Sequence, residues 1–110
     1  MSGPAPNDRL AGLALILGDD DTRELVRLYL SSVPSLLADI AGADRESSQR
    51  AAHSLKSSSD QMGATSLWQQ AKALEARIMQ GGPLPTPEEM AALNEGYQEA
   101  ERALRGYGGS

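Results

Sequence analysis

The chain contains no cysteine and no phenylalanine, and only one histidine, one tryptophan and three tyrosines. Without cysteine there is no disulfide framework, no thiol nucleophile and no thiolate-ligated zinc site. A lone imidazole, His53, excludes centres that need two or three histidines. Basic residues are outnumbered, ten Lys and Arg against fifteen Asp and Glu, for a formal net charge of −5. So acidic and ring-poor a chain is unsuited to non-specific nucleic-acid binding, which needs clustered cations and stacking platforms. No apolar run approaches the ~18 residues of a membrane span. Residues Met1 to Leu10 lack the charged-then-apolar pattern of a secretory signal, so the expected compartment is cytoplasmic.

Strand signals are equally scarce. β-branched and aromatic residues never alternate, while Ala, Leu, Glu, Gln and Arg dominate. The 110 residues suffice for one domain with one core. Glycine and proline punctuate the chain at Gly18, Gly42, Gly63, Gly81 to Pro85 and Gly106 onward, which leaves five helical stretches.

The first is short, Asp8 to Leu17, with Leu10, Leu13, Ala14 and Leu17 on one stripe. The second opens with Asp21 as N-cap and Glu24 three residues on, and carries Leu25, Val26, Tyr29, Val33, Leu36, Leu37 and Ile40. Pro34 falls inside it, but the apolar pattern resumes in phase, so a local kink is expected rather than an end. The third runs from an Asp44 cap to about Met62 with an inward stripe of Ser48, Ala52, Leu55, Ser59 and Met62. The fourth spans about Thr65 to Gln80 on Leu67, Ala71, Leu74 and Ile78, and Gly81 is its stop. The fifth has Thr86 as cap, Pro87 at the first position and Glu89 at the third, and ends at Gly106. Together these predict an all-α fold: an antiparallel up-down four-helix bundle with a short extra N-terminal helix. Residues 1–7 are expected to be disordered, 8–106 to form the bundle and 107–110 to be a flexible tail.

His53 sits one residue, about 100° of rotation, from the core residue Ala52, and so at the edge of the buried stripe, facing outward. Gln49, Lys56, Ser57 and Asp60 share its strip, with Lys56 at i+3 and Ser57 at i+4 beside the ring. A chain reversal at Gly63 to Thr65 brings Glu75 of the fourth helix level with His53. A carboxylate there accepts the Nδ1 proton, fixes the tautomer and leaves Nε2 with a free lone pair. An ammonium one turn away suits negative charge arriving at Nε2, such as a phosphoryl group. The plainer alternative is a solvated histidine beside an incidental Lys56–Glu75 salt bridge.

The run Ala52-His53-Ser54-Leu55-Lys56, three serines after it, and Gly63-Ala64 ten residues beyond the histidine resemble the signature of histidine phosphotransfer (HPt) domains. Leu67, Ala71, Leu74 and Glu75 are similar to that family's next helix. The likeness is strongest over residues 44–80. It implies a four-helix bundle whose exposed histidine takes a phosphoryl group from a receiver-domain phospho-aspartate and passes it on in a two-component phosphorelay. On that likeness His53 is the acceptor, Lys56 pairs with the phosphoryl oxygens and Glu75 holds Nδ1. Gln49, Arg50, Ser57 and Asp60 then lie where a receiver docks. The chain would be a monomeric phosphocarrier without catalysis of its own, having no ATP-binding motif, and no cofactor or metal is expected on it. Mg²⁺ would come with the receiver, and partners would be receiver domains or a hybrid sensor kinase. One residue departs from the pattern: the family usually has glycine where this chain has Ser57. Its hydroxyl would hydrogen-bond the phosphoryl group or narrow the set of receivers that dock. The departure also keeps open an interaction-only bundle that docks a receiver or kinase without phosphotransfer.

The remaining signals are weaker. Asp19 to Asp21 read as helix-start acids rather than a cation site. Tyr29, Leu30 and Val33 of the second helix reach about the level of His53, and there form either a docking patch or buried core.

Overall fold

In the computed structural model, residues 8–42 and 44–109 are described, and every described element is a helix. Residues 1–7, expected to be disordered, lie outside the described residues, as does Ala43.

Helix α1, Asp8–Leu17, lays Leu10 into the core with Leu13 partly covered. Leu17, expected on the same stripe, is 40% exposed, and Leu15 and Ile16 face solvent at 90% and 81%. The chain turns at Gly18, which adopts φ 89°, before Leu17 can reach the core.

Helix α2, Asp19–Ala41, begins three residues earlier than expected. Gly18 rather than Asp21 is the cap, and Asp19, Asp20 and Asp21 all fall in the first turn, where their charge favours the helix dipole. Glu24 pairs with Arg27 instead of reaching back to a cap. Buried Thr22 doubles its contact with the Gly18 carbonyl, which accepts both its amide at 3.1 Å and its hydroxyl at 2.7 Å.

Helix α2 passes through Pro34 without ending. Proline has no N–H, so the carbonyl of Leu30, four residues back, loses its intrahelical donor. The hydroxyl of Tyr97 supplies a substitute, donating to the Leu30 oxygen at 3.0 Å. The helix thus continues because a different helix repairs its backbone.

Helix α3, Arg45–Met62, has the expected cap: the Asp44 carboxylate accepts from the Ser47 amide at 3.0 Å. All five residues of the expected stripe are buried, joined by Ala51. Its two buried serines are satisfied by α2, Ser48 donating to the Ile40 carbonyl at 2.8 Å and Ser59 bonding the Tyr29 hydroxyl at 2.7 Å. Small side chains let α3 lie close to α2, and these bonds meet the requirement that buried polar groups find partners.

Helix α4, Thr65–Met79, buries Leu67, Ala71, Leu74, Glu75 and Ile78. Both ends of the α3–α4 hairpin close with paired carbonyl bonds around a left-handed glycine. At the first, Gly63 (φ 73°) is followed by Ala64, whose amide reaches the Ser59 carbonyl at 2.9 Å. At the second, Gly81 (φ 83°) is followed by Gly82, whose amide reaches the Arg77 carbonyl at 2.8 Å. A side chain at either φ is strained, which is why glycine ends both helices.

Helix α5, Pro87–Gly109, starts with the expected reciprocal cap. The Thr86 amide donates to Glu89 Oε1 at 2.9 Å, and the Glu89 amide donates to Thr86 Oγ1 at 3.1 Å. Arg77 grips Glu89 with two bonds, 2.6 and 2.8 Å, and the Pro83 carbonyl at 3.0 Å, tying α4, the connecting loop and α5 together. Arg45 adds bonds to the carbonyls of Ile78 and Gly82 from the start of α3. The helix continues to Gly109, three residues past the expected end and over residues expected to be a flexible tail. Gly106 to Gly109 weaken a helix but do not block it as proline does, and each added residue brings one further bond.

Helix α3 packs on α2 and α4, α2 on α5, α4 on α5, and α1 lies against α2 and α3. One core unites them, with Val33, Ile40, Leu55, Leu67, Ala52 and Ala71 fully enclosed.

Candidate functional site

Ala52 and Leu55 point into the core at 0% exposure, and this fixes the phase of α3. One residue on from Ala52, the His53 side chain keeps 59% of its area exposed. Leu74 fixes α4 in the same way, and Glu75, one residue on, comes to rest against α3 with its side chain 10% exposed. The hairpin brings the two level. His53 Nδ1 lies 2.8 Å from Glu75 Oε2.

The other oxygen of the same carboxylate is also taken. Lys56 Nζ sits 2.6 Å from Glu75 Oε1, with the lysine side chain 30% exposed. One carboxylate therefore bridges an imidazole and an ammonium, each on its own oxygen. Burial alone would push the Glu75 carboxyl up. Hydrogen bonds from Lys56 and His53, with the charges behind them, outweigh it and hold the pKa below the ordinary 4.5. An anionic Glu75 can only accept, so Nδ1 is the donor in this bond, and in the neutral ring that tautomer puts the lone pair on Nε2. Among the described residues no group bonds Nε2. The arrangement is an exposed imidazole oriented through Nδ1 by a neighbouring carboxylate.

The other strip residues have distinct fates. Gln49 is half-buried. Arg50 is exposed, with only a 3.8 Å contact to Glu46. Ser57 is exposed with no hydrogen-bond partner among the described residues. Asp60 is engaged by Arg9 of α1 at 2.8 Å. That last pair joins residues 51 positions apart, and no local pattern in the sequence announces it. On the α4 side, half-buried Trp68 carries the Lys72 ammonium 4.9 Å from its ring centre.

Of the two readings for Tyr29 and Val33, burial holds: they are 4% and 0% exposed, and Leu30 is partly buried. Burial raises the Tyr29 hydroxyl to about 12, against the lowering effect of its bond to Ser59. Among the described residues no three His, Asp or Glu side chains are grouped to hold a metal ion, and no helix is long and apolar enough to cross a membrane.

The family model of the Hpt domain matches residues 24–103, well over half of the chain. The matched segment contains His53, Lys56 and Glu75 and excludes α1. No curated protein and no solved structure matches the chain.

Proposed function

The chain belongs to the Hpt domain family, and from that premise we propose that it carries a phosphoryl group on Nε2 of His53 between receiver domains. Membership ties it to histidine phosphotransfer in phosphorelay signalling. The finer reading has α2 to α5 as an antiparallel up-down bundle, with α1 as the extra helix, acting as a monomeric carrier in the cytoplasm.

In the proposed step the Nε2 lone pair attacks the phosphorus of an aspartyl phosphate. The N–P bond forms as the P–O bond breaks, and the aspartate carboxylate leaves with the electron pair. The ring keeps its Nδ1 proton and takes on one positive charge, which the Glu75 carboxylate faces across 2.8 Å. Electrostatic stabilisation of charge that develops only during reaction is the effect most valuable to rate. Lys56 keeps that carboxylate anionic and turns its remaining N–H donors to the phosphoryl oxygens. Gln49, Arg50, Ser57 and Asp60 form the surrounding docking face, on which Asp60 is already paired with Arg9. The receiver brings the Mg²⁺ and the acidic pocket.

The observation that carries this reading is the Nδ1–Glu75 bond beneath an exposed ring. Its test is incubation with a panel of phosphorylated receiver domains, wild type against His53→Gln. Acid-labile label on wild type alone is expected. Label retained by His53→Gln, or absent from wild type with every receiver, rules it out.

Ser57 in place of the family's usual glycine favours a second reading, a bundle that docks a receiver or kinase without phosphotransfer. Receiver binding by a chain that never takes label is the result that reading requires.

A further inference from the structure

The serines of α3 divide into two groups. Ser47 donates to the Asp44 carboxylate, Ser48 to the Ile40 carbonyl and Ser58 to the Ser54 carbonyl at 2.9 Å, while Ser59 bonds Tyr29. Only Ser54 and Ser57 leave their hydroxyls without a partner among the described residues, and both are exposed.

Their directions differ. At about 100° per residue, Ser57 stands about 40° round the helix from His53, nearly in line with it one turn on. Ser54 is about 100° round and lines the cleft between α3 and α2 with Leu36, Asp39 and Arg50. Side chains on a helix lean toward its N-terminus, so a residue at i+4 overhangs the turn that bears residue i. Ser57 therefore leans toward His53, whereas Arg50 leans away, toward Glu46.

The ring geometry sets the side on which a phosphoryl group sits. Nδ1 is held toward α4 by Glu75, which turns Nε2 to the side of the ring away from α4, and by helical phase Ser57 stands on that side of His53. Lys56, one turn along the helix, already commits its ammonium to Glu75 at 2.6 Å. A phosphoryl group on Nε2 has three acceptor oxygens and, within α3, one uncommitted hydroxyl leaning over it.

We propose that Ser57 Oγ donates a hydrogen bond to the phosphoryl group carried on His53 and stabilises the phosphorylated state. The inference rests on the phosphocarrier reading above and assigns to this chain a phosphoryl ligand that a glycine at the same position lacks. It also separates Ser57 from a purely steric role, because the two act on different quantities. A contact that helps or hinders docking changes forward and reverse transfer equally and cancels from the equilibrium constant. A bond present only in the phosphorylated carrier does not cancel.

The test is the equilibrium constant for phosphoryl exchange between one receiver domain and the intact chain, as wild type, Ser57→Ala, Ser57→Gly and Ser57→Thr. Loss of the hydroxyl in the Ala and Gly variants is expected to shift the equilibrium toward the phosphorylated receiver by about fivefold, the size of one net hydrogen bond. Ser57→Thr, which keeps the hydroxyl, is expected to stay near wild type. An unchanged equilibrium in both Ser57→Ala and Ser57→Gly overturns the inference, even if transfer rates change, and leaves the carrier reading standing. No label on wild type overturns both.

Discussion

Lys56 and His53 bind opposite oxygens of the one Glu75 carboxylate, at 2.6 and 2.8 Å. Lys56 therefore acts first on Glu75, and through it on the histidine. Removing the carboxylate strips the ring of its Nδ1 acceptor and leaves Lys56 without its partner. Glu75→Ala is expected to slow phosphoryl uptake from a receiver by about tenfold or more, the worth of one charge-assisted bond in a partly exposed site. Glu75→Gln keeps an acceptor but loses the charge, and should fall between Ala and wild type. Initial rates of label transfer at fixed receiver concentration check the order.

The lowered Glu75 pKa also sets a pH dependence. A carboxyl depressed in the folded state contributes stability that is complete above its ordinary 4.5 and is lost as pH falls through the lowered value. The bridge should thus be intact across pH 5 to 8. Glu89 gives the same sign over a wider window: bonds from Arg77, then the Thr86 amide, bring it to about 2. Its contribution is expected to fade between roughly pH 4.5 and 2. Urea unfolding midpoints of wild type and Arg77→Ala, followed down in pH, should draw closer as Glu89 protonates, leaving the share carried by the Arg77 bond to the Pro83 carbonyl. A gap that does not narrow between roughly pH 4.5 and 2 would show that Arg77 stabilises the α4–α5 connection without the Glu89 charge.

A second pair tests the fold. Tyr97 donates to the Leu30 carbonyl that Pro34 leaves without a partner. Tyr97→Phe is expected to cost about 1 kcal/mol, since an acceptor is left unpaired in a partly buried position. Pro34→Ala restores an amide to the helix, so Tyr97→Phe should cost less in that background. Denaturant unfolding of the four proteins in the cycle gives the coupling directly.

How far the site was legible depends on what each feature draws on. His53 and Glu75 follow from helical phase and one hairpin, both written locally in Ala52, Leu55, Leu74 and the glycine at 63. The caps at Asp44 and Thr86 are local too, and they fall as expected. Where competing caps adjoin, as at Gly18 and Asp19 to Asp21, pattern alone does not pick the one used: the chain breaks at Gly18, whose φ of 89° suits glycine, and the three aspartates all fall inside the helix. Contacts between distant segments leave no mark in the sequence. Arg9 on Asp60 and Tyr97 on Leu30 appear only when the helices are assembled. The Lys56–Glu75 pair is legible too, as the plainer alternative to a histidine–carboxylate bond, but the assembled hairpin shows both contacts made at once, one on each oxygen.

The most direct measurement is the position of phosphorus on the single histidine after transfer from a phosphorylated receiver, read by ¹⁵N and ³¹P NMR of ring-labelled protein. The account predicts phosphorus bonded to Nε2 of His53, with the proton retained on Nδ1 facing Glu75. Phosphorus on Nδ1, or on any residue other than His53, would contradict it.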